Sequence, residues 1–127
     1  MAQVFGLTIT GLDKVVLSYA IANKNIKAEL QKEIFQAGTL IQVEAQRILT
    51  EKGHVVTGNL RRSINTQVIV QDTLLEVDIG TNVEYAPYIE ALPDGGYLFP
   101  AYWAKKDEVM ARLQRAVKNA MDTAKGS

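Results

Sequence analysis

The sequence predicts an α+β protein in which a small antiparallel sheet packs against a long central helix and a C-terminal helix. Between residues 26 and 52, apolar side chains recur every three or four positions, which is the spacing of one helix face. Residues 64–79 alternate apolar and polar side chains, as paired strands do, and residues 102–124 return to helical spacing. A length of 127 residues with 47% hydrophobic residues suits a single domain spanning residues 1–127.

The first part of the chain predicts two short elements. Val4–Ile9 alternates weakly and indicates a short edge strand. Asp13 or Thr10 can then cap a short helix that runs to about Ala22. Two asparagines within residues 23–25 indicate a turn before the next element.

The long helix is predicted from Ile26 to Lys52, with a length of about 40 Å at 1.5 Å per residue. Its apolar stripe consists of Ile26, Leu30, Ile34, Ala37, Ile41, Ala45 and Ile48. Gly38 lies in the middle of the helix, where glycine costs about 1 kcal/mol relative to alanine. Close approach of a neighbouring element or a mild kink would explain it. Gly53 is placed to end the helix as its C-cap.

The stretch Val55–Ile64 follows the long helix and contains a glycine, Gly58, and an arginine pair, Arg61 and Arg62. It is predicted to be a loop leading into a strand. Loops held on a rigid scaffold often carry function, so this stretch is a candidate functional segment.

An antiparallel hairpin is predicted next. Ile64–Val70 and Leu74–Ile79 alternate as strands, and Gln71–Thr73 has the composition of the turn between them. The alternation sends one set of side chains of the second strand to the core and its acidic set to solvent.

The last third of the chain predicts loops and a closing helix. Glu84–Glu90 should form one helical turn, Pro93–Gly96 an exposed turn and Tyr97–Pro100 a short apolar piece. The closing helix is predicted from about Tyr102 to Ala124. Its apolar face consists of Val109, Leu113, Ala116, Val117 and Ala120.

Charge is segregated along a chain whose formal net charge is zero. Residues 1–63 carry eight basic and five acidic side chains, residues 64–101 carry six acids and no base, and residues 102–127 carry six bases and three acids. The simpler interpretation is that basic helices pack beside an acidic sheet in one molecule. The alternative is that opposite-signed surfaces meet between neighbouring copies and set the register of an assembly.

The side chains that could act in catalysis or hold a cofactor or metal are too few or too scattered to indicate such a site. The chain has no cysteine, and His54 is its one histidine, so a dyad or a transition-metal site lacks ligands. Glu84 and Glu90 could share a face, but solvation explains these carboxylates equally well. No apolar run approaches the roughly 18 residues of a membrane span, and the N-terminus lacks a signal-peptide pattern. We therefore expect a non-enzymatic, intracellular product without a cofactor.

Two motifs and a closing segment of the chain resemble a known family. Val56–Ile64 reads VTGNLRRSI, Val83–Glu90 reads VEYAPYIE, and Phe99–Ala101 precedes the closing amphipathic helix. Together they resemble the tail-completion (neck) proteins of long-tailed bacteriophages, over nearly the whole chain. The resemblance implies a structural virion protein that forms a ring, usually of six copies, where the tail joins the head connector.

The resemblance also implies partners. These are other copies of the chain, the head-completion or connector protein, and the tail terminator or tube protein, with DNA passing through the ring without specific binding. Assembly would take place in the cytoplasm of the host bacterium. The alternative from a different class is a small nucleic-acid-binding protein that uses Arg61, Arg62 and the basic C-terminal helix.

Two groups of residues are predicted to act in assembly. A pair of arginines opposite an acidic and aromatic segment is typical of a protein interface, which favours aromatic side chains and arginine. The predicted interface residues are Thr57, Gly58, Arg61, Arg62, Glu84, Tyr85, Tyr88 and Glu90. The acids predicted to face the channel are Asp72, Glu76 and Asp78. A channel lined by carboxylates would let a duplex slide, because it does not hold phosphates.

Overall fold

The three-stranded sheet of the protein has its last strand in the centre. The computed structural model describes residues 5–10, 24–53, 58–71, 74–93 and 96–126. Its elements in chain order are β1 (Phe5–Thr10), α1 (Lys24–Glu51), α2 (Asn59–Ser63), β2 (Asn65–Gln71), β3 (Leu74–Thr81), α3 (Ala86–Glu90) and α4 (Leu98–Gly126). The sheet order is β1-β3-β2, and both outer strands run antiparallel to β3.

The register of the sheet separates its two faces. Thr8 of β1 and Gln67 of β2 both lie opposite Asp78 of β3, so these three side chains form one polar row. The neighbouring row, through Ile79, points to the other face because successive strand residues alternate. Val77 and Ile79 are buried there, whereas Glu76 and Asp78 are not.

Both long helices cover the apolar face of the sheet and run antiparallel to each other. The beginning of α1 lies beside the last part of α4, and the open groove between them is lined by Ile26, Leu30 and Ala120 among others. At the opposite end, the Lys52 side chain donates a hydrogen bond of 2.8 Å to the carbonyl of Gly96, just before α4. The result is two layers, a sheet and a helix pair, with the core between them. The predicted α+β class is confirmed.

The helical periodicities predicted the core correctly. All seven residues of the predicted stripe on α1 are buried. On α4, Val109, Leu113, Ala116 and Ala120 are buried and Val117 packs partly buried against the same cluster. Burial of each large aliphatic side chain stabilises the fold by about 1.5–3 kcal/mol, so these stripes determine how the helices dock.

Gly38 of α1 marks the point where the sheet comes closest to the helix. A Cβ atom at this position would lie 2.8 Å from Thr66 Cγ2 and 2.8 Å from Val77 Cγ1. Real side chains do not approach so closely, so only glycine lets β2 and β3 rest on the helix at this point. Of the two explanations predicted for this glycine, close approach is the one that the structure shows.

Several predicted boundaries hold and one predicted loop is wrong. The strands Phe5–Thr10 and Asn65–Gln71 and the helix Lys24–Glu51 lie within two residues of their predicted bounds. The loop predicted before the second strand contains helix α2, Asn59–Ser63. Leu60 of this helix is buried, and its burial favours a helical turn over an exposed loop.

The end of the chain differs more from the prediction. Helix α4 begins at Leu98, four residues before the predicted Tyr102. Pro100 does not prevent this, because the N–H groups of the first helical turn have no intrahelical partner to lose. Strand β3 continues two residues further than predicted, to Thr81. Gly96, predicted in an exposed turn, is buried with φ at 80°.

Some predictions fall on residues outside the described ranges. These are the short helix predicted from Asp13 to about Ala22, the turn residues 72–73 and 94–95, and the side chains of His54, Thr57 and Asp72.

Candidate functional site: two surface motifs and the open face of the sheet

The first motif forms a short helix that begins after a left-handed glycine. Gly58 has φ of 71°, and its carbonyl accepts a hydrogen bond of 3.0 Å from the Arg62 N–H. A Cβ at Gly58 would lie 2.5 Å from the NH1 atom of Arg62, because the guanidinium packs directly against the Gly58 backbone. The positive φ favours glycine here, and a larger residue would also displace the Arg62 guanidinium.

The two arginines of this motif are positioned by polar groups of the same chain. The Arg61 guanidinium donates to Thr50 Oγ1 at 3.1 Å, and the Gln46 side chain donates to the Arg61 carbonyl at 2.9 Å. The Arg62 guanidinium donates to Asn59 Oδ1 at 2.9 Å. Both arginines thus lie at the end of the sheet where α1 ends and β2 begins, on the β2 side.

Hydroxyl groups join this motif to the central strand. Ser63 Oγ and Thr81 Oγ1 share a hydrogen bond, and Thr81 Oγ1 also accepts one of 3.0 Å from the Val83 N–H. Thr81 is buried, so its hydroxyl needs these partners. The contact connects the end of α2 to the segment that leads into the second motif.

The second motif places one carboxylate against the beginning of α4. Glu90 Oε1 accepts hydrogen bonds from the N–H groups of Leu98 (2.8 Å) and Tyr97 (3.3 Å), and Oε2 accepts one from Phe99 (3.3 Å). These are groups of the first turn of a helix, which have no intrahelical partner and favour a negative charge. A Cβ at Gly96 would clash with the same carboxylate. Glu90 is therefore an intramolecular cap of α4.

The buried Tyr97 side chain also holds the connection between α3 and α4 in place. The side chain is buried, its hydroxyl donates a long hydrogen bond of 3.5 Å to the Ala86 carbonyl, and its ring lies 6.5 Å from that of Phe5 in β1. Burial, with a smaller contribution from the Glu90 charge, raises the pKa of Tyr97 well above its usual range. Helix α3 thus stands on the β1 and α4 side of the molecule, opposite α2.

Three further residues of the second motif face solvent. Glu84, Tyr85 and Tyr88 are exposed, and 75% of the Tyr88 side chain is accessible. The sequence grouped Glu84 with Glu90, but their surroundings differ, since Glu84 is exposed and Glu90 caps a helix. The surface of this motif is acidic and aromatic.

The acids of β3 lie on the open face of the sheet. Thr8 Oγ1 donates a hydrogen bond of 2.8 Å to Asp78 Oδ1. A hydrogen bond to Asp78, together with desolvation and the repulsion between the two carboxylates, raises the pKa of Glu76 above its usual range. The predicted side of the strand for these two acids is confirmed. Within the described part of the chain, no three histidine or acidic side chains are grouped closely enough to hold a metal ion.

A third surface lies outside the predicted interface residues. Phe99, Trp103 and Met110 are exposed along one side of α4, and Phe35 and Val43 are exposed on α1. The available signal was the spacing of Phe99, Trp103 and Met110, which recur at helical intervals outside the core stripe of α4. The Lys106 ammonium lies over the Trp103 ring, 4.9 Å from the ring centroid. The centroids of the Trp103 and Tyr102 rings are 5.7 Å apart.

The fold and these contacts define a small α+β protein whose surface motifs are held in place by hydrogen bonds within the chain. No helix within the described ranges is long and apolar enough to span a membrane. Residues 19–91, more than half of the chain, match the family described as "HK97-gp10_like: Bacteriophage HK97-gp10, putative tail-component". The chain belongs to this family and is a tail-related structural protein of a bacteriophage. No curated protein and no solved structure matches the chain.

The match agrees with the resemblance seen in the sequence. It covers α1, the arginine motif, the hairpin and the whole acidic and aromatic motif, and it ends at Ala91. A phage tail component belongs to the virion and contacts other virion proteins there.

Proposed function

We propose that the protein is a structural, non-enzymatic subunit of a homo-oligomeric ring at the head–tail junction of the phage, and that DNA passes through this ring. Its partners on the two sides of the ring are the head connector and the tail terminator or tube protein. The family match supports a role in the tail. The observation that carries the ring itself is the division of the molecule into a helix layer and a polar sheet face that no element of the described residues covers.

The open sheet face suits a channel wall. Thr8, Gln67 and Asp78 form a polar row across the three strands, and Glu76 adds a second carboxylate. No arginine or lysine occurs in β1, β2 or β3. A surface of this kind does not hold phosphates, because binding to DNA depends on bases that replace counterions. A ring with this face inward would leave the helices outside.

The two surface motifs suit contacts between copies. Arg61 has no carboxylate partner among the described residues, and Glu84 is exposed in the segment that leads into α3. A head-to-tail ring brings opposite sides of successive copies together. It would let the arginine motif of one copy meet the acidic and aromatic motif of the next.

Phage carrying Arg61→Glu and Arg62→Glu test the assembly role. We expect the variant protein to fold normally by circular dichroism, whereas electron microscopy shows heads and tails that remain unjoined. The matched control is Arg115→Glu with Lys118→Glu, which makes the same charge change on exposed positions of α4 and leaves joining intact. Normal joining by the Arg61 and Arg62 variant would reject the proposal. Salt-dependent DNA binding by the free protein, lost in this variant, would favour the nucleic-acid-binding alternative.

Phage carrying Glu76→Lys and Asp78→Lys test the channel. Particles should assemble, but DNA ejection triggered in vitro should be slower, because the wall then attracts phosphates. The control, Glu29→Lys with Glu33→Lys, changes the same charge at exposed positions of α1 and should eject at the normal rate. Equal ejection rates in both variants, or a reconstruction with the sheet on the outer rim, would contradict this orientation.

A further inference from the structure

We infer that successive copies join edge to edge, with β1 of one copy adding in parallel to β2 of the next, so that one continuous sheet runs around the assembly. This inference rests on the proposed ring, for which it identifies the contact surface. Its partner is a second copy of this chain. Three features of the described residues support it: the chemistry of both sheet edges, their direction, and the exposed apolar side chains beneath them.

Both edge strands of the sheet lack the features that prevent pairing with a strand of another molecule. The strands β1 (FGLTIT) and β2 (NTQVIVQ) contain no charged residue and no proline. Neither strand has a second strand partner in the described ranges, because both pair only with β3. Monomeric proteins protect such edges with charges, prolines or bulges, since unpaired N–H and C=O groups recruit another strand. Unprotected edges on both sides therefore indicate that each edge is paired in the functional state.

The direction of the strands allows these edges to pair with each other. The outer strands both run antiparallel to β3, so they are parallel to one another. In a head-to-tail ring around an axis along the strands, all copies have the same direction, and β2 of one copy meets β1 of the next in parallel. The strands also match in length, with six residues in β1 and seven in β2.

Beneath the β1 edge lies an apolar groove. It has a volume of about 410 Å³ and is lined by Leu7, Thr8, Ile9, Phe99, Tyr102 and Met110. Phe99 is 58% exposed there, and Trp103 continues the same side of α4 with 64% exposure. Strand addition uses such a groove, because alternate side chains of the incoming strand need pockets beside the edge.

Beneath the β2 edge lies a second apolar flank, on α1. Gln42 accepts a hydrogen bond of 2.8 Å from Thr66 of β2, which shows that this side of α1 lies under β2. Phe35, two turns before Gln42 and therefore on the same face of α1, is exposed. Pairing of the two edges brings this flank against Phe99, Trp103 and Met110 of the next copy. Exposed large hydrophobic side chains on both flanks would then be covered.

Charge agrees with the same contact. The arginine motif lies on the β2 side, where Arg61 contacts Thr50 at the end of α1. The exposed Glu84 belongs to the segment that Tyr97 ties to the β1 side. Both lie at the same end of the sheet, because β2 begins where β3 ends. Edge pairing therefore places the arginines of one copy near the acid of its neighbour.

Engineered thiols test the pairing, because the natural chain has no cysteine. We would combine Thr8→Cys of β1 in turn with Asn65→Cys, Gln67→Cys or Ile69→Cys of β2, which share the open face. Three positions are needed because closing a sheet into a ring staggers its strands. β3 separates the two cysteines within a copy by two strand spacings, roughly 9.6 Å, so an internal disulfide cannot form.

We expect one double variant to give a ladder of oligomers on a non-reducing gel after mild oxidation or a short thiol cross-linker. Its yield should exceed at least tenfold that of the control Thr8→Cys with Arg115→Cys. Each single variant should stay monomeric on the gel, because a head-to-tail contact never brings two identical positions together. A cross-linked dimer from Thr8→Cys alone, or cross-links from it to another virion protein, would overturn the inference.

Trp103 gives an independent readout, since it is the single tryptophan of the chain. On assembly its emission should shift to shorter wavelength, and quenching by acrylamide should fall severalfold. An unchanged spectrum in rings seen by electron microscopy would contradict the contact between the flanks.

Rings at the head–tail junction without a ladder would overturn edge pairing and leave the proposed function intact. A ladder from a protein that is absent from that junction would support edge pairing and reject the proposed function, and neither ladder nor ring would reject both.

Discussion

The two faces of β3, a strand of eight residues, differ in their environment and in their role. Val77 and Ile79 point to the helices and are almost fully buried, with 1% and 0% exposure. Glu76 and Asp78, alternating with them, point to the open face, where the interaction with Asp78 raises the pKa of Glu76. The difference shows that the stability of this subunit resides on one side of the sheet, which leaves the chemistry of the other side free to serve assembly.

The sharpest test of this division compares isoleucines on the two faces. Ile79→Ala should lower the free energy of unfolding by about 2–5 kcal/mol, because it removes buried methyl groups and leaves a cavity. Ile69→Ala in β2, on the open face and partly exposed, should cost at most about 1 kcal/mol. Urea denaturation followed by circular dichroism measures both values. Similar losses at the two positions would mean that the open face also contributes to the core.

Gly38 tests how closely the closed face is packed. Gly38→Ala should gain about 1 kcal/mol of helix propensity but lose more through overpacking, giving a net loss of about 1–3 kcal/mol. In a Val77→Ala background, one of its two close contacts is gone, so the same change should cost less. The free energies of the four proteins in this double-mutant cycle decide the question. Purely additive effects would show that the contact with Val77 is not the cause.

Glu90 tests a region that belongs to neither face, the joint between α3 and α4. Glu90→Ala should destabilise the protein by about 0.5–2 kcal/mol, because three N–H groups at the beginning of α4 lose their acceptor. The control Glu84→Ala removes an exposed carboxylate of the same motif and should change stability by no more than about 0.5 kcal/mol. Hydrogen exchange should also be faster at residues 97–99 in the first variant alone. Equal exchange in both variants would argue against a cap.

The smallest expected effect concerns the pH dependence of the open face. The pKa of Glu76 is raised in the folded protein, so its contribution to stability is present below the unfolded pKa and is lost as pH rises through the folded value. Glu76→Gln should therefore become more stable relative to the natural protein as pH rises from acidic to neutral. Glu44 provides a control of opposite sign, because hydrogen bonding by Arg47 lowers the pKa of Glu44.

Urea midpoints at several pH values measure both differences. Glu44→Gln should become less stable relative to the natural protein over the same rise in pH, because the contribution of Glu44 is lost only as pH falls. Parallel profiles for the natural protein and Glu76→Gln would show that the two carboxylates of β3 do not interact.

The sequence by itself determined the layers of this protein. All seven positions that apolar spacing predicted for the stripe on α1 are buried, because a helix on the surface of a sheet buries one side. Strict alternation likewise separated Val77 and Ile79 from Glu76 and Asp78, because the side-chain period of a strand is two. The two surface motifs also pointed to the phage family, which the match over residues 19–91 confirms.

Only the tertiary structure decided what depends on contacts between distant residues. Glu90 looked like one of two surface acids, and its role as a cap follows from the position of α4. The early start of α4 and the short helix α2 have the same origin, since local propensity says little about five-residue elements whose stability comes from packing. The apolar flanks on α1 and α4 became visible only once the helices were placed beside each other. Some apolar side chains lie outside the core stripes, and the neighbouring elements decide which of these remain exposed.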